Sequence, residues 1–224
     1  MEPSSTTDNS QISLPLNLGL NDGTYCPKSC VEVMKQFAST TGLRNYTTAD
    51  NDPLREVISK LDGVTPEHIY LANGSGPLLK QCVPHLVKKG IRSSPLRIAR
   101  HLLNKTGYPI VTAEFTYFKV PLGASRLGLE VELLPLTPES GFKLDPNDIR
   151  RVLDRRDGLV YITNPNNPTG DVLISREDVV ELLESYPQST FWLDEAYVQY
   201  MPADKHQPLS DLVMKYDNLV VSRT

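Results

Sequence analysis

The sequence predicts an α/β fold: a mainly parallel sheet with helices on both faces. Three observations lead there. Short apolar runs such as Leu159-Val160-Tyr161-Ile162 and Thr190-Phe191-Trp192-Leu193 lack polar alternation, as expected of strands buried on both faces. The segments between them have helical length and spacing, which parallel neighbours require because a tight turn cannot connect them. Clusters of Gly, Asn, Asp and Tyr follow several of these runs, at the carboxyl edge where open α/β sheets bind ligands.

Taken in order, Met1 to Leu14 is rich in Ser, Thr, Asn and Asp and reads as a mobile arm. Turn-forming residues from Asn21 to Pro27 lead into a helix over Ser29 to Ser39. Asp52-Pro53 opens a second helix, with Asp as cap, Pro in the first turn, and Leu54, Val57, Ile58 and Leu61 at spacings of three and four. A strand Ile69–Ala72 passes through Asn73-Gly74-Ser75-Gly76-Pro77 into a helix reaching about Lys88. Residues 89–106 read as an inserted segment: a basic stretch and a helix from Leu96 to Lys105, longer than the usual αβ connection. Strands at Ile110–Ala113, Leu129–Leu134, Leu159–Ile162, Thr190–Leu193 and Leu219–Val221 follow. Helices after Tyr117, from Asp145-Pro146 to Leu153, after the capping box Ser175-x-x-Asp178, and near Ser210 to Lys215 separate them.

Composition narrows the function. A chain of 224 residues with 39% hydrophobic content can bury a large core, and a net charge of −4 argues against a nucleic-acid binder. The apolar runs are far below the roughly 20 residues that cross a bilayer, and the polar amino terminus lacks a signal-type apolar region. A soluble cytoplasmic protein is the expectation. Three cysteines, Cys26, Cys30 and Cys82, read as reduced thiols, and four scattered histidines give no metal-ligand spacing.

The strand ends carry the chemistry. Gly74-Ser75-Gly76 sits where a strand turns into a helix, so free amides and the helix dipole suit a phosphate, although a ligand-free turn explains the same residues. Asp194 ends a buried strand, as a cap or as a functional carboxylate, and Asn167 is either a turn residue or a hydrogen-bond donor. As a set they fit pyridoxal phosphate. A protonated ring nitrogen needs a carboxylate, which Asp194 supplies; Asn167 and Tyr197 suit the ring oxygen, Tyr117 the ring face, and Ser75 and Gly76 the phosphate.

The stretches Tyr70 to Ser75, Asn164-Pro-Asn-Asn-Pro-Thr-Gly170, Leu193-Asp-Glu-Ala-Tyr197 and Leu219 to Thr224 resemble the class I/II, fold type I, pyridoxal-phosphate aminotransferases, most closely the histidinol-phosphate aminotransferase-like branch. The resemblance runs from about Leu18 onward, apart from the insertion. It implies residues 1–45 as an arm and small-domain segment and 46–224 as an incomplete cofactor-binding large domain. It assigns Asp194 to the ring nitrogen, Asn167 and Tyr197 to the ring oxygen, Tyr117 to stacking, and Ser75 and Gly76 to the phosphate. It also implies a homodimer in which Tyr46 reaches the partner's cofactor, and Tyr25 bordering the substrate. The partners it implies are an amino donor, an amino acid or amino-alcohol phosphate, and a 2-oxo acid.

Two departures stand out. The family usually has an acidic residue where Gly76 stands, and its Schiff-base lysine is expected just after Thr224, so the chain reads as a fragment, inactive alone, truncated before the carboxyl-terminal part. Decarboxylation or elimination on the same scaffold, or a non-catalytic binding role, remain alternatives.

Overall fold

The computed structural model describes residues 26–40, 52–104, 107–202, 204–205 and 207–224. The expected arm, Tyr25 and Tyr46 lie outside the described residues. The chain divides into two units, Met1–Asp50 and Asn51–Thr224. In the first, helix α1 spans Lys28–Ala38 and is exposed along its whole length.

The apolar runs of the second unit form five strands: β1 (Ile110–Ala113), β2 (Val131–Leu134), β3 (Leu159–Thr163), β4 (Thr190–Asp194) and β5 (Leu219–Ser222). All pairs are parallel, in the order β2-β1-β3-β4-β5. The helices are α2 (Asp52–Asp62), α3 (Ser75–Arg92), α4 (Pro95–Asn104), α5 (Lys119–Arg126), α6 (Pro146–Leu153) and α7 (Arg176–Ser185). Two predicted caps form as read. The Asp145 carboxylate accepts the Asn147 amide at 2.9 Å, and Ser175 accepts the Asp178 amide at 3.1 Å.

Because strand side chains alternate, the two faces bury different sets. Ile110, Tyr161 and Trp192 pack with Leu79, Val83 and Val87 of α3 and Val120 and Ala124 of α5. Val111, Val160, Ile162, Phe191 and Leu193 pack with Ile149 and Val152 of α6 and Val179, Leu182 and Leu183 of α7. The chain steps from β1 outward to β2 and then returns to place β3 on the other side of β1. The crevice between the carboxyl ends of β1 and β3 is therefore the point where the direction of winding reverses, the usual binding position in such sheets.

Three expectations change. The segment Ile69–Ala72 is not a strand among the described residues. Ile69 has extended backbone angles, φ −108° and ψ 121°, but a strand also needs a partner ladder, and no described strand pairs with it. The helix expected near Ser210–Lys215 is a 3-10 turn, Ser210–Met214. Helix α3 runs past Gly90 to Arg92 instead of stopping near Lys88, so part of the expected insertion belongs to it. Gly90 is a packing glycine: a Cβ there would lie 2.4 Å from the Tyr108 ring.

The basic α4 segment is anchored to the scaffold through Arg97. Arg97 is buried, pairs with Asp157, donates to Gly90 O at 3.0 Å and Ser93 Oγ at 2.6 Å, and lies 5.5 Å from the Tyr108 ring centroid. Asp157 precedes β3, so this guanidinium sits at the amino edge, opposite the strand ends that carry the candidate site. A buried charge needs a nearby counter-charge, and Asp157 satisfies it.

Candidate active site

The strand register assembles the site. Asp194, the last residue of β4, faces Thr163 on β3 and Ser222 on β5. Its side chain shares the α3 face with Trp192, Tyr161 and Thr163, since these positions have the same strand parity. Asp194 is 4% exposed. Tyr161 OH donates to its Oδ2 at 2.7 Å and Ser222 Oγ to its Oδ1 at 3.0 Å. Trp192 Nε1 donates to Ser222 Oγ at 2.9 Å, which orients that hydroxyl, and the Tyr161 and Trp192 rings meet edge to face at 5.3 Å.

Burial raises the Asp194 pKa, opposed by the Tyr161 and Ser222 hydroxyls and the Ala196 amide, and reinforced by the negative charge of Glu195. Every donor to this carboxylate among the described residues is neutral. Burial, together with the Asp194 charge, also pushes the Tyr161 phenol upward, so it remains a protonated donor. The result is a buried carboxylate with aligned donors and, among the described residues, no cation bonded to it.

The loop 164–170 explains why its three asparagines differ. Asn164 bridges two carbonyl and amide groups: its Nδ2 donates to Ile174 O at 3.0 Å and its Oδ1 accepts Leu173 N at 2.7 Å. Asn166 spans the crevice between β1 and β3, donating to Phe115 O at 3.1 Å and Thr169 Oγ1 at 3.0 Å while accepting Thr116 Oγ1 at 2.9 Å. Thr116 Oγ1 also lies 3.1 Å from Thr163 Oγ1, next to Tyr161 and Asp194. With the loop held by its neighbours, Asn167 is half-buried and makes no side-chain hydrogen bond among the described residues.

The remaining candidates sit around that edge. Gly74 caps α3 with φ +87°, and Ser75 and Gly76 begin the helix, whose first amides have no partner within it. Nothing lies within 4 Å of a Cβ built at Gly76, so space does not require glycine there. Tyr117 is half-buried against the α3-face core, with the Lys119 ammonium 5.5 Å from its ring. Tyr197 follows β4 at the mouth, its ring 6.2 Å from Tyr200.

Sequence reasoning passed over Phe115. It is 64% exposed at the end of β1, held at φ 48°, with its carbonyl bonded to Asn166. An outward aromatic in the left-handed region is a strained arrangement that folding alone does not favour. The signal was an aromatic two residues after a strand. A concavity of about 670 Å³ lined by Lys143, Leu173, Ile174, Arg176 and Lys205 lies on the α7 side of the sheet. Two of its cations are internally engaged, Lys143 with Val172 O and Arg176 with Asp211, and it shares no residue with the Asp194 cluster.

A model of the family described as aminotransferase class I and II matches residues 13–224. This chain belongs to that family. Among its curated relatives in the class I and II aminotransferases, histidinol-phosphate aminotransferase 2 of Legionella pneumophila (strain Lens) is 29% identical over 84% of this chain and 46% of its own length. The enzyme of the same name from Haemophilus influenzae (strain 86-028NP) is 28% identical over 95% of this chain and 52% of its own. The chain thus spans about half the length of the curated relatives it matches. Among solved structures, histidinol-phosphate aminotransferase from Sinorhizobium meliloti, in complex with pyridoxal-5'-phosphate, superposes with a TM-score of 0.70 at 24% identity, covering 88% of this chain and 48% of that one. L-threonine-O-3-phosphate decarboxylase from Porphyromonas gingivalis gives 0.58 at 21% identity, covering 87% and 50%. Both show the fold, which is the parallel α/β architecture expected of the family. No described helix is long and apolar enough to cross a membrane.

Proposed function

We propose that the protein carrying this chain is a pyridoxal-phosphate-dependent aminotransferase that moves an amino group between an amino acid, or an amino-alcohol phosphate, and a 2-oxo acid. One observation carries the reading. Asp194 is a buried carboxylate, aligned by two hydroxyls and compensated by no cation among the described residues, at the carboxyl edge of the sheet. Burying a lone charge is unfavourable by several kcal/mol, and a bound cation relieves it. The residues present therefore fit a protonated pyridine ring.

Bound pyridoxal phosphate supplies an electron sink, effective while its ring nitrogen is protonated. Asp194 holds that proton, and Tyr161 and Ser222 fix the direction of its oxygens. Asn167 and Tyr197 donate to the ring oxygen, Tyr117 or Phe115 covers a ring face, and the first amides of α3 at Ser75 and Gly76 bind the phosphate. Tyr46 in a homodimer contributes to the partner's phosphate site, Tyr25 borders the substrate, and the reaction takes place in the cytoplasm. Membership in the family and the relatives' printed activities support this reading.

The test uses the full-length protein loaded with pyridoxal phosphate. Amino donors are added one at a time without a 2-oxo acid, and conversion of the cofactor to its pyridoxamine form is followed by absorbance. Conversion with at least one donor is expected. Release of carbon dioxide, or of an eliminated group, with no pyridoxamine form under any donor would replace the proposal with a decarboxylase or lyase.

A further inference from the structure

Two adjacent carboxylates, Asp194 and Glu195, leave the end of β4 toward different surroundings. Asp194 shares the α3 face with Tyr161. Glu195 is 0% exposed, and its Oε1 accepts the Leu209 amide at 2.8 Å, beside the core on the other face. The neighbouring strand answers with two adjacent residues in register. Ser222, opposite Asp194, donates its hydroxyl to that carboxylate, and its carbonyl accepts the Glu195 amide at 2.8 Å. Arg223 donates Nε to Glu195 Oε2 at 3.2 Å, one terminal nitrogen to Asp62 Oδ1 of α2 at 2.7 Å, and the other to Ser210 Oγ. The hydroxyl thus goes to one carboxylate and the guanidinium to its neighbour.

We propose that Arg223 is a positioning residue that neutralises Glu195 and locks it away from the edge, so that Asp194 is the carboxylate left for a cation there. The inference deepens the proposed function and rests on the reading that a protonated ring meets Asp194. The fork of Arg223 suits this task because three directed donors hold the end of β5, the loop after β4 and the end of α2 at once. The groups that act on Asp194 include Tyr161 on β3, Ser222 on β5, the Ala196 amide and Glu195 on its own strand end. Arg176, engaged by Asp211, is a second cation within electrostatic reach of Glu195, and Asp62 is a second anion on Arg223. Without Arg223, the charge that Glu195 already exerts on Asp194 loses its offset, and Asp194 holds its proton more tightly.

The experiment titrates the Asp194 carboxyl carbon by 13C NMR in the full-length, cofactor-free protein, with D194N assigning the resonance. R223Q is expected to raise its midpoint by about one pH unit, tenfold in proton affinity. R223K, which keeps the charge, and the double variant E195Q/R223Q, which removes both partners, are expected to stay within a few tenths of a unit of the parent. An unmoved midpoint in R223Q, or one equally displaced in the double variant, overturns the proposal. If R223Q does not fold, E195Q takes its place: a midpoint lowered by the unopposed guanidinium supports the charge division, and an unmoved one refutes it. Because no cofactor is present, this outcome is independent of whether the donor assay succeeds.

Discussion

Tyr161→Phe isolates the hydrogen bond that aligns Asp194. The substitution removes one oxygen and keeps the ring, so the edge contact with Trp192 at 5.3 Å survives and no cavity forms. The lost bond is 2.7 Å long, buried, and made to an acceptor that is charged when ionised. Such bonds contribute about 1.5–3 kcal/mol, against about 0.5–1.5 kcal/mol for a neutral pair. The variant should therefore lose about 2 kcal/mol at neutral pH, a melting-temperature drop of roughly 4–8 °C for a domain of this size. The sign of the pH dependence follows from burial. Asp194 has a folded pKa above its unfolded value, so its protonation favours the native state as pH falls through the raised folded pKa, and its ionisation is unfavourable above it. Removing the phenol raises that pKa further, so the penalty of the variant is largest at neutral pH and shrinks below the carboxyl's titration. Urea unfolding of parent and variant at neutral and acidic pH, taken as a difference so that other groups cancel, measures both values. An equal loss at the two pH values, or none at either, would refute the claim that this phenol supports an ionised Asp194.

Other substitutions separate scaffold from site. Arg97→Ala should lower stability by about 2–3 kcal/mol, discounted from a fully buried pair because Asp157 is partly exposed, while the apparent affinity for every accepted substrate stays unchanged; a selective loss of affinity would refute its purely structural role. Asn166→Ala abandons three hydrogen bonds and should reduce stability by about 2–4 kcal/mol by denaturant titration. Asn167→Ala should change stability by less than about 0.5 kcal/mol yet weaken retention of pyridoxal phosphate on dialysis; the opposite ranking would exchange their roles. Gly90→Ala forces a methyl into the Tyr108 ring and should lose about 1–3 kcal/mol, whereas Gly76→Ala, facing open space, should be neutral or stabilising by up to about 1 kcal/mol in the same titration.

Much of the scaffold was legible because its determinants are local. A cap such as Ser175 bonds the amide three residues on, and an apolar run such as Leu159–Ile162 reports its own burial. The motif loop was equally readable, and so was the carboxylate after Trp192, since each is a short string of residue types. Ile69–Ala72 shows where local reading fails: its composition suits a strand and Ile69 is extended, but pairing depends on what lies beside it.

The sequence by itself determined the alternation of strands and helices, their caps, and the residue types delivered to the strand ends. Only the tertiary structure decided that Tyr161, 33 residues away, aligns Asp194, that Asn166 locks the loop while Asn167 stays available, and that Arg97 reaches Asp157 at the opposite edge. The reason is range. Backbone hydrogen bonds and caps act over a few residues and are written in adjacent letters, whereas register, face and strand order bring distant residues together, and no spacing in the chain encodes those distances directly.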